Sequence, residues 1–157
     1  MGIKIQDIAY VRFGAPDLDS MEVFLAEFGM VRCQRSNGRL YMRGLDEDPY
    51  LHVTHQGEPG FLAAGLEAAS IEDLETLARE ESVSIDSLDG PGGGFMVKLT
   101  DPDGFHIEVI AQRARVSPIE LTPRIPGNDA YGTPRLNALK RVGRGPSHVK
   151  RLGHRRR

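Results

Sequence analysis

His106 and Glu108 stand two residues apart in "FHIEVI". On an extended strand that spacing sends both side chains to one face. His52, in the earlier stretch "YLHVTHQ", can face them from a neighbouring strand. Two imidazoles and a carboxylate on one face form a donor set that holds a divalent cation and leaves positions open for substrate. His55 follows His52 by three residues and points the other way, so only one of the two can join. The plainer reading of strand histidines is that they line a cup or meet solvent. Asp101 and Asp103 in "DPDG" look like paired carboxylates. In a turn before a strand, they are expected to accept local backbone amides rather than move protons. "DGPGGGF" fails as a phosphate loop, because it lacks the Lys-Ser/Thr ending and leads into a strand. Cys33, the one cysteine, has no histidine beside it in a nucleophile–base motif. It reads as a small, half-buried residue of a strand, and no internal disulfide is possible.

Positioning these groups takes a regular order of elements. "IKIQDIAYVRF" (residues 3 to 13) reads as a strand. A helix follows, with Asp17 or Asp19 as N-cap and Gly29 as its stop. Its buried face is expected at Met21, Phe24, Leu25 and Phe28, at i, i+3, i+4, i+7. Three strands come next, "MVRCQRS", "RLYMRGL" and "YLHVTHQ", the first two joined by the hairpin signal Asn37-Gly38. The order then restarts. "FLAAGLEAA" is a strand, and "SIEDLETLAREE" a helix opened by a Ser70/Asp73 capping box. Ile71, Leu74, Leu77 and Ala78 make its apolar stripe. "VSIDSL", "FMVKLT" and "FHIEVIAQ" close the series. The caps Asp17 and Ser70 lie 53 positions apart, and the repeat is one of pattern rather than identity.

Two βαβββ modules, 3–58 and 61–111, therefore make one α+β domain over residues 1–112. Each module has one helix. Side by side, their strands curl into a cupped, half-barrel mixed sheet whose hollow suits a small molecule. Residues 113–157, rich in Pro, Gly and Arg, read as an irregular basic linker.

The composition is globular: 39% hydrophobic and 27% charged. No apolar run reaches the roughly 18 residues of a membrane span, and the N-terminus has no signal-peptide form. The expected location is cytoplasmic, with no membrane partner. The net charge of -2 hides a division: all 22 acidic residues precede Ala130, and 9 of the 20 basic residues follow Asp129. The basic end has no interleaved aromatics beyond Tyr131 and no helix-turn-helix pattern, so no nucleic-acid partner is expected.

Three segments, "IAYVRFGAPDLDSMEVFLAEFGM", "HQGEPGFLAAGLEAASIEDL" and "LTDPDGFHIEVI", resemble the vicinal oxygen chelate superfamily. That group contains glyoxalase I, bleomycin-resistance proteins and extradiol ring-cleaving dioxygenases. "NALKRVGRGPSHVKRLGH" is similar to the linker and opening strand that join the two domains of extradiol dioxygenases. The resemblance implies a non-catalytic N-terminal domain of a 2,3-dihydroxybiphenyl dioxygenase-like enzyme. That parent enzyme would use Fe(II) and O₂ to cleave an aromatic diol in aromatic compound catabolism. His154 then falls on the first iron ligand of a second domain, which the sequence does not contain. Within residues 1–112 the family's ligand positions fall on Tyr10, Ala63 and Glu108, and Glu108 alone matches, as a vestige. The chain is thus expected to be inactive alone, to hold no cofactor, and to form a homo-oligomer or pair with a catalytic domain. Two alternatives stay open. One is a stand-alone, metal-free binding dimer of the bleomycin-resistance type. The other is a metal-dependent glyoxalase-like isomerase or lyase built on His52, His106 and Glu108.

Overall fold

The computed structural model describes residues 2–120 and 147–152. Strand β1 (Ile5–Ala15), helix α1 (Leu18–Phe28) and strands β2 (Val31–Ser36), β3 (Arg39–Arg43) and β4 (His52–Gln56) form the first module. Strand β5 (Gly60–Ala68), helix α2 (Ile71–Glu80) and strands β6 (Asp86–Ser87), β7 (Phe95–Thr100) and β8 (His106–Ala111) form the second. All eight strands join one sheet in the order β2-β3-β4-β1-β5-β8-β7-β6. β1 and β5 meet antiparallel at the seam, and each has a parallel neighbour on its other side, β4 and β8 respectively. The α+β arrangement of two modules around an unclosed mixed sheet is the one the sequence pattern predicts.

Local chemistry sets the boundaries. The Asp17 carboxylate accepts from the Asp19 amide at 2.9 Å, and Gly29 ends α1 in the left-handed region at φ 108°. Ser70 Oγ accepts from the Asp73 amide at 3.1 Å, the expected cap of α2. Asn37 and Gly38 both take positive φ, 51° and 68°, as their hairpin requires. Asp101 accepts from the amides of Asp103 and Phe105, so "DPDG" is a turn held by its own side chain.

Each helix covers one end of the sheet's convex face. Leu74, Leu77 and Ala78 of α2 pack on Val97, Val109 and Ala111. Leu18 and Leu25 of α1 pack on Leu40 and Met42, with Met21 beside them. Here the sequence expectation needs correction. Phe24 and Phe28 are 60% and 57% exposed, and their rings stack on each other at 6.3 Å. The buried stripe is centred on Leu18, Met21 and Leu25, which turns both phenylalanines onto the flank. Two smaller corrections concern the sheet edges. β6 shrinks to two residues because only Asp86 and Ser87 pair with β7. Cys33 is exposed, since it sits on edge strand β2 at a register break between Arg32 and Gln34.

The described parts of the stretch after Gln112 lie against the domain. The amides of Ala114, Val116 and Ile119 donate to Gly92, Glu47 and Leu45 carbonyls. Further on, the Val149 amide donates to Gly29, and the Leu45 and Asp46 amides donate to Val149 and Lys150. A Cβ at Gly44 would lie 2.1 Å from the Lys150 carbonyl oxygen, so only glycine permits this approach. Arg151 reaches Asp7 at 3.6 Å. No helix among the described residues is long and apolar enough to cross a membrane.

Candidate functional site

Two rows of side chains cross the concave face at the seam. Register places Tyr10, Gly65, Glu108 and Lys98 in one row, and Arg12, Ala63, His106 and Thr100 in the next. The small central residues leave room for what flanks them. A Cβ on Gly65 would come within 2.7 Å of the Tyr10 ring. Without it, the Tyr10 hydroxyl reaches Glu108 Oε2 and donates at 2.7 Å. Arg12 Nη2 meets the same oxygen at 2.9 Å, with the Glu108 side chain only 6% exposed. A buried carboxylate is costly unless paired and hydrogen-bonded; here one oxygen has both partners. Burial, followed by the neighbouring Glu108 charge, holds the Tyr10 phenol well above its ordinary value, so it stays a donor.

The inner end of the hollow is filled rather than open. Tyr10, Tyr41 and Tyr50 pack with Val53, Leu88, Met96 and Ile110. The Arg113 side chain, 0% exposed, stacks over Tyr50 at 5.0 Å and donates to the Tyr50 carbonyl at 3.0 Å. Its charge is met by Asp48 at 3.0 Å and by Glu67 at 3.8 Å. Arg115 bridges the same two carboxylates. Burial pushes the Tyr50 phenol up to about 12. The outer end is a cavity of about 350 Å³ lined by Arg12, His55, Leu62, Ala63, Lys98, Leu99, Thr100, His106 and Glu108.

The proposed triad of His52, His106 and Glu108 is not assembled. His106 and Glu108 share the cavity, with His106 Nδ1 3.2 Å from Thr100 Oγ1. His52 lies on the convex side, buried, with its ring stacked on Phe13 at 5.4 Å and Nδ1 3.3 Å from Thr54 Oγ1. The reason is parity: Val53 and His55 face the hollow with Arg12, so His52 and Thr54 must face away. His55 is therefore the histidine of this strand that joins His106 and Glu108. Burial lowers His52 to about 4. Burial and the charges of Arg12 and Arg39 lower His55 to about 4. Both rings are neutral at pH 7. Of the positions assigned to ligands in the sequence, Tyr10 shares the row of Glu108, whereas Ala63 stands in the next row, opposite His106. His154 lies outside the described residues.

Fe(II), implied by the family resemblance, does not fit the donor set of the cup. Ala63 offers no donor atom. Glu108 Oε2 is taken by a guanidinium and a phenol, so a cation already stands where a metal's charge would be needed. Among the described residues no three His, Cys, Asp or Glu side chains converge to hold a metal ion. The sequence reading missed Arg12. Its signal was present in "YVRF", where alternation puts Arg12 on the face of Tyr10.

No family model matches the sequence, and no curated protein matches it. Solved structures do. The Mn(II)-bound glyoxalase from Novosphingobium aromaticivorans aligns with a TM-score of 0.67 and 21% identity, over 76% of this chain and 43% of that one. Homoprotocatechuate 2,3-dioxygenase from Brevibacterium fuscum aligns at 0.66 and 18%, over 75% and 40%. The 2,3-dioxygenase LapB from Pseudomonas sp. KL28 aligns at 0.63 and 16%, over 74% and 44%. This chain thus spans about two-fifths of the length of the solved structures it matches. Two βαβββ modules sharing one open mixed sheet, together with these neighbours, show that the chain has the vicinal oxygen chelate fold.

Proposed function

We propose that this chain is a metal-free vicinal oxygen chelate module, the non-catalytic N-terminal partner of an extradiol-type catalytic module. The observation that carries this reading is the closed contact of Glu108 with Arg12 and Tyr10. It spends the one carboxylate at the family's ligand positions on a guanidinium. The larger size of the dioxygenases that share the fold supports a second module as partner. In this reading the aromatic diol, Fe(II) and O₂ belong to the assembled enzyme. The module's own role is packing and assembly, with itself or with the catalytic module. His154, near the end of the linker of residues 113–157, would be the first iron ligand at the opening of the catalytic module.

The test is to load the chain anaerobically with ferrous iron, add a catechol and admit oxygen. No yellow ring-fission product is expected. A stoichiometric yield would overturn the proposal. Sedimentation of the chain, alone and mixed with a catalytic module of a related dioxygenase, reads the assembly role, and a species heavier than the monomer is expected. A second reading, a stand-alone binding protein of the bleomycin-resistance type, is favoured by the open cavity beside Arg12.

A further inference from the structure

We propose that the groove between Gly29 and Gly44 is a strand-addition site for an extended peptide of the pattern Val-x-Arg. Residues 147–151 are its built-in occupant, a latch that the same sequence supplied in trans displaces. The groove shares no residue with the cavity beside Arg12, so it works independently of what the cup holds.

Backbone and side chains both fit the groove to an extended strand. The Val149 amide donates to the Gly29 carbonyl at 3.2 Å, and the amides of Leu45 and Asp46 donate to the Val149 and Lys150 carbonyls at 2.9 and 3.3 Å. Main-chain bonds of this kind hold any extended chain, and pockets for alternate side chains make the choice among sequences. Val149 turns inward onto the cluster of Leu18, Leu25, Met30, Leu40 and Met42, whereas His148 and Lys150 on either side of it are exposed. Two residues on, Arg151 reaches Asp7 at 3.6 Å. Glycine clears both ends of the groove. A Cβ on Gly29 would lie 1.6 Å from the Ser147 carbonyl oxygen. Gly44 has no positive φ, so its own backbone does not demand glycine. The two atoms nearest to a Cβ there are the carbonyl oxygen and carbon of Lys150, at 2.1 and 2.7 Å. That glycine admits the strand.

The seating is local and light, as exchange requires. The Arg151 and Asp7 side chains are 34% and 36% exposed, and an exposed pair adds little affinity; it sets the direction of the strand. Val149 supplies the apolar contact. A cavity of about 180 Å³ lies beside Lys150, lined by Leu45, Asp46, Pro118 and Ile119, so the strand is not packed tightly on that side. Three main-chain bonds, one apolar side chain and one exposed ion pair open by local unfolding, well below the cost of unfolding the domain. None of these contacts depends on the occupant belonging to the same chain. A separate peptide carrying Val-x-Arg meets them all.

The experiment uses the full chain and a fluorescein-labelled peptide, PSHVKRLG, the sequence of residues 146–153. Val149→Asp sets a charge against the apolar floor and unseats the latch, read as lost hydrogen-exchange protection at the Leu45 and Asp46 amides. That variant should bind the peptide saturably and regain the protection. The parent should bind at least tenfold more weakly, because its own latch competes at high effective concentration. Alanine in place of the peptide's valine should weaken binding by about tenfold, the worth of two partly buried methyl groups, and aspartate there should abolish it. Val149→Ser, a milder change, takes the place of Val149→Asp should that variant misfold. Equal binding by parent and variant, equal binding of the valine and alanine peptides, or no saturation of an unseated variant overturns the proposal. So does peptide binding that leaves the Leu45 and Asp46 amides unprotected. Protection that persists in both variants shows that Val149 does not seat the segment, and overturns it as well.

Discussion

Replacing Arg12 with methionine removes the cation from Glu108 while keeping most of the stem's volume. At the observed 2.9 Å, an effective dielectric of about 20 gives an attraction of roughly 6 kcal/mol. Desolvating the two ions takes back several kcal/mol, so the pair's net worth is small. The variant, however, leaves a carboxylate that is 6% exposed with Tyr10 as its remaining hydrogen-bond partner. Stranding one member of a buried pair costs about 3–5 kcal/mol. Arg12 is 18% exposed, so water can partly follow the lost charge and the lower end, about 3 kcal/mol, is expected. For a domain of this size that lowers Tm by roughly 10 °C. Urea melts of Arg12→Met, Glu108→Gln and the double variant measure the effect. The double variant should be more stable than the sum of the single losses implies, by at least about 1.5 kcal/mol, because it leaves no orphaned charge. Strict additivity, or a single-variant loss below about 1 kcal/mol, would refute the claim that Arg12 is what offsets the burial of the Glu108 carboxylate.

Phe24→Glu should change stability by no more than about 0.5 kcal/mol in thermal melts, as for an exposed site; a loss of several kcal/mol would put Phe24 in the core, where its spacing suggested. Gly44→Val should release the segment around Lys150, read as lost hydrogen-exchange protection at the Leu45 and Asp46 amides, which donate to Val149 and Lys150. His52 is neutral in the fold, lowered to about 4 by burial, against about 6.5 when unfolded. Between those values the unfolded chain binds more protons, so its share of stability is complete above pH 6.5 and is lost as pH falls towards 4. Melts across that range should show His52→Phe with a flatter acid limb than the parent.

The order of elements was legible because each boundary has a local cause. Caps at Asp17 and Ser70, the Asn37-Gly38 turn and the Asp101 turn all act within a few residues, so their chemistry needs no distant partner. The stripe of α2 was read correctly, since its apolar residues are few and fall on one face. That of α1 was not. Its apolar residues cover a wider arc than the sheet can bury, and the packing surface of Leu40 and Met42 chose Leu18 and Leu25 over Phe24 and Phe28. The face of a strand residue is fixed by parity along its own strand. Which strands adjoin, and in what register, is not. Sequence alone therefore put His106 with Glu108, but it passed over Arg12 and named His52 for the set where the register brings in His55. Only the β1–β5–β8 register brought Arg12 and Tyr10 onto Glu108, across the space that Gly65 and Ala63 leave. A long-range pairing of this kind depends on non-local hydrogen bonds, and no short stretch of the chain encodes it.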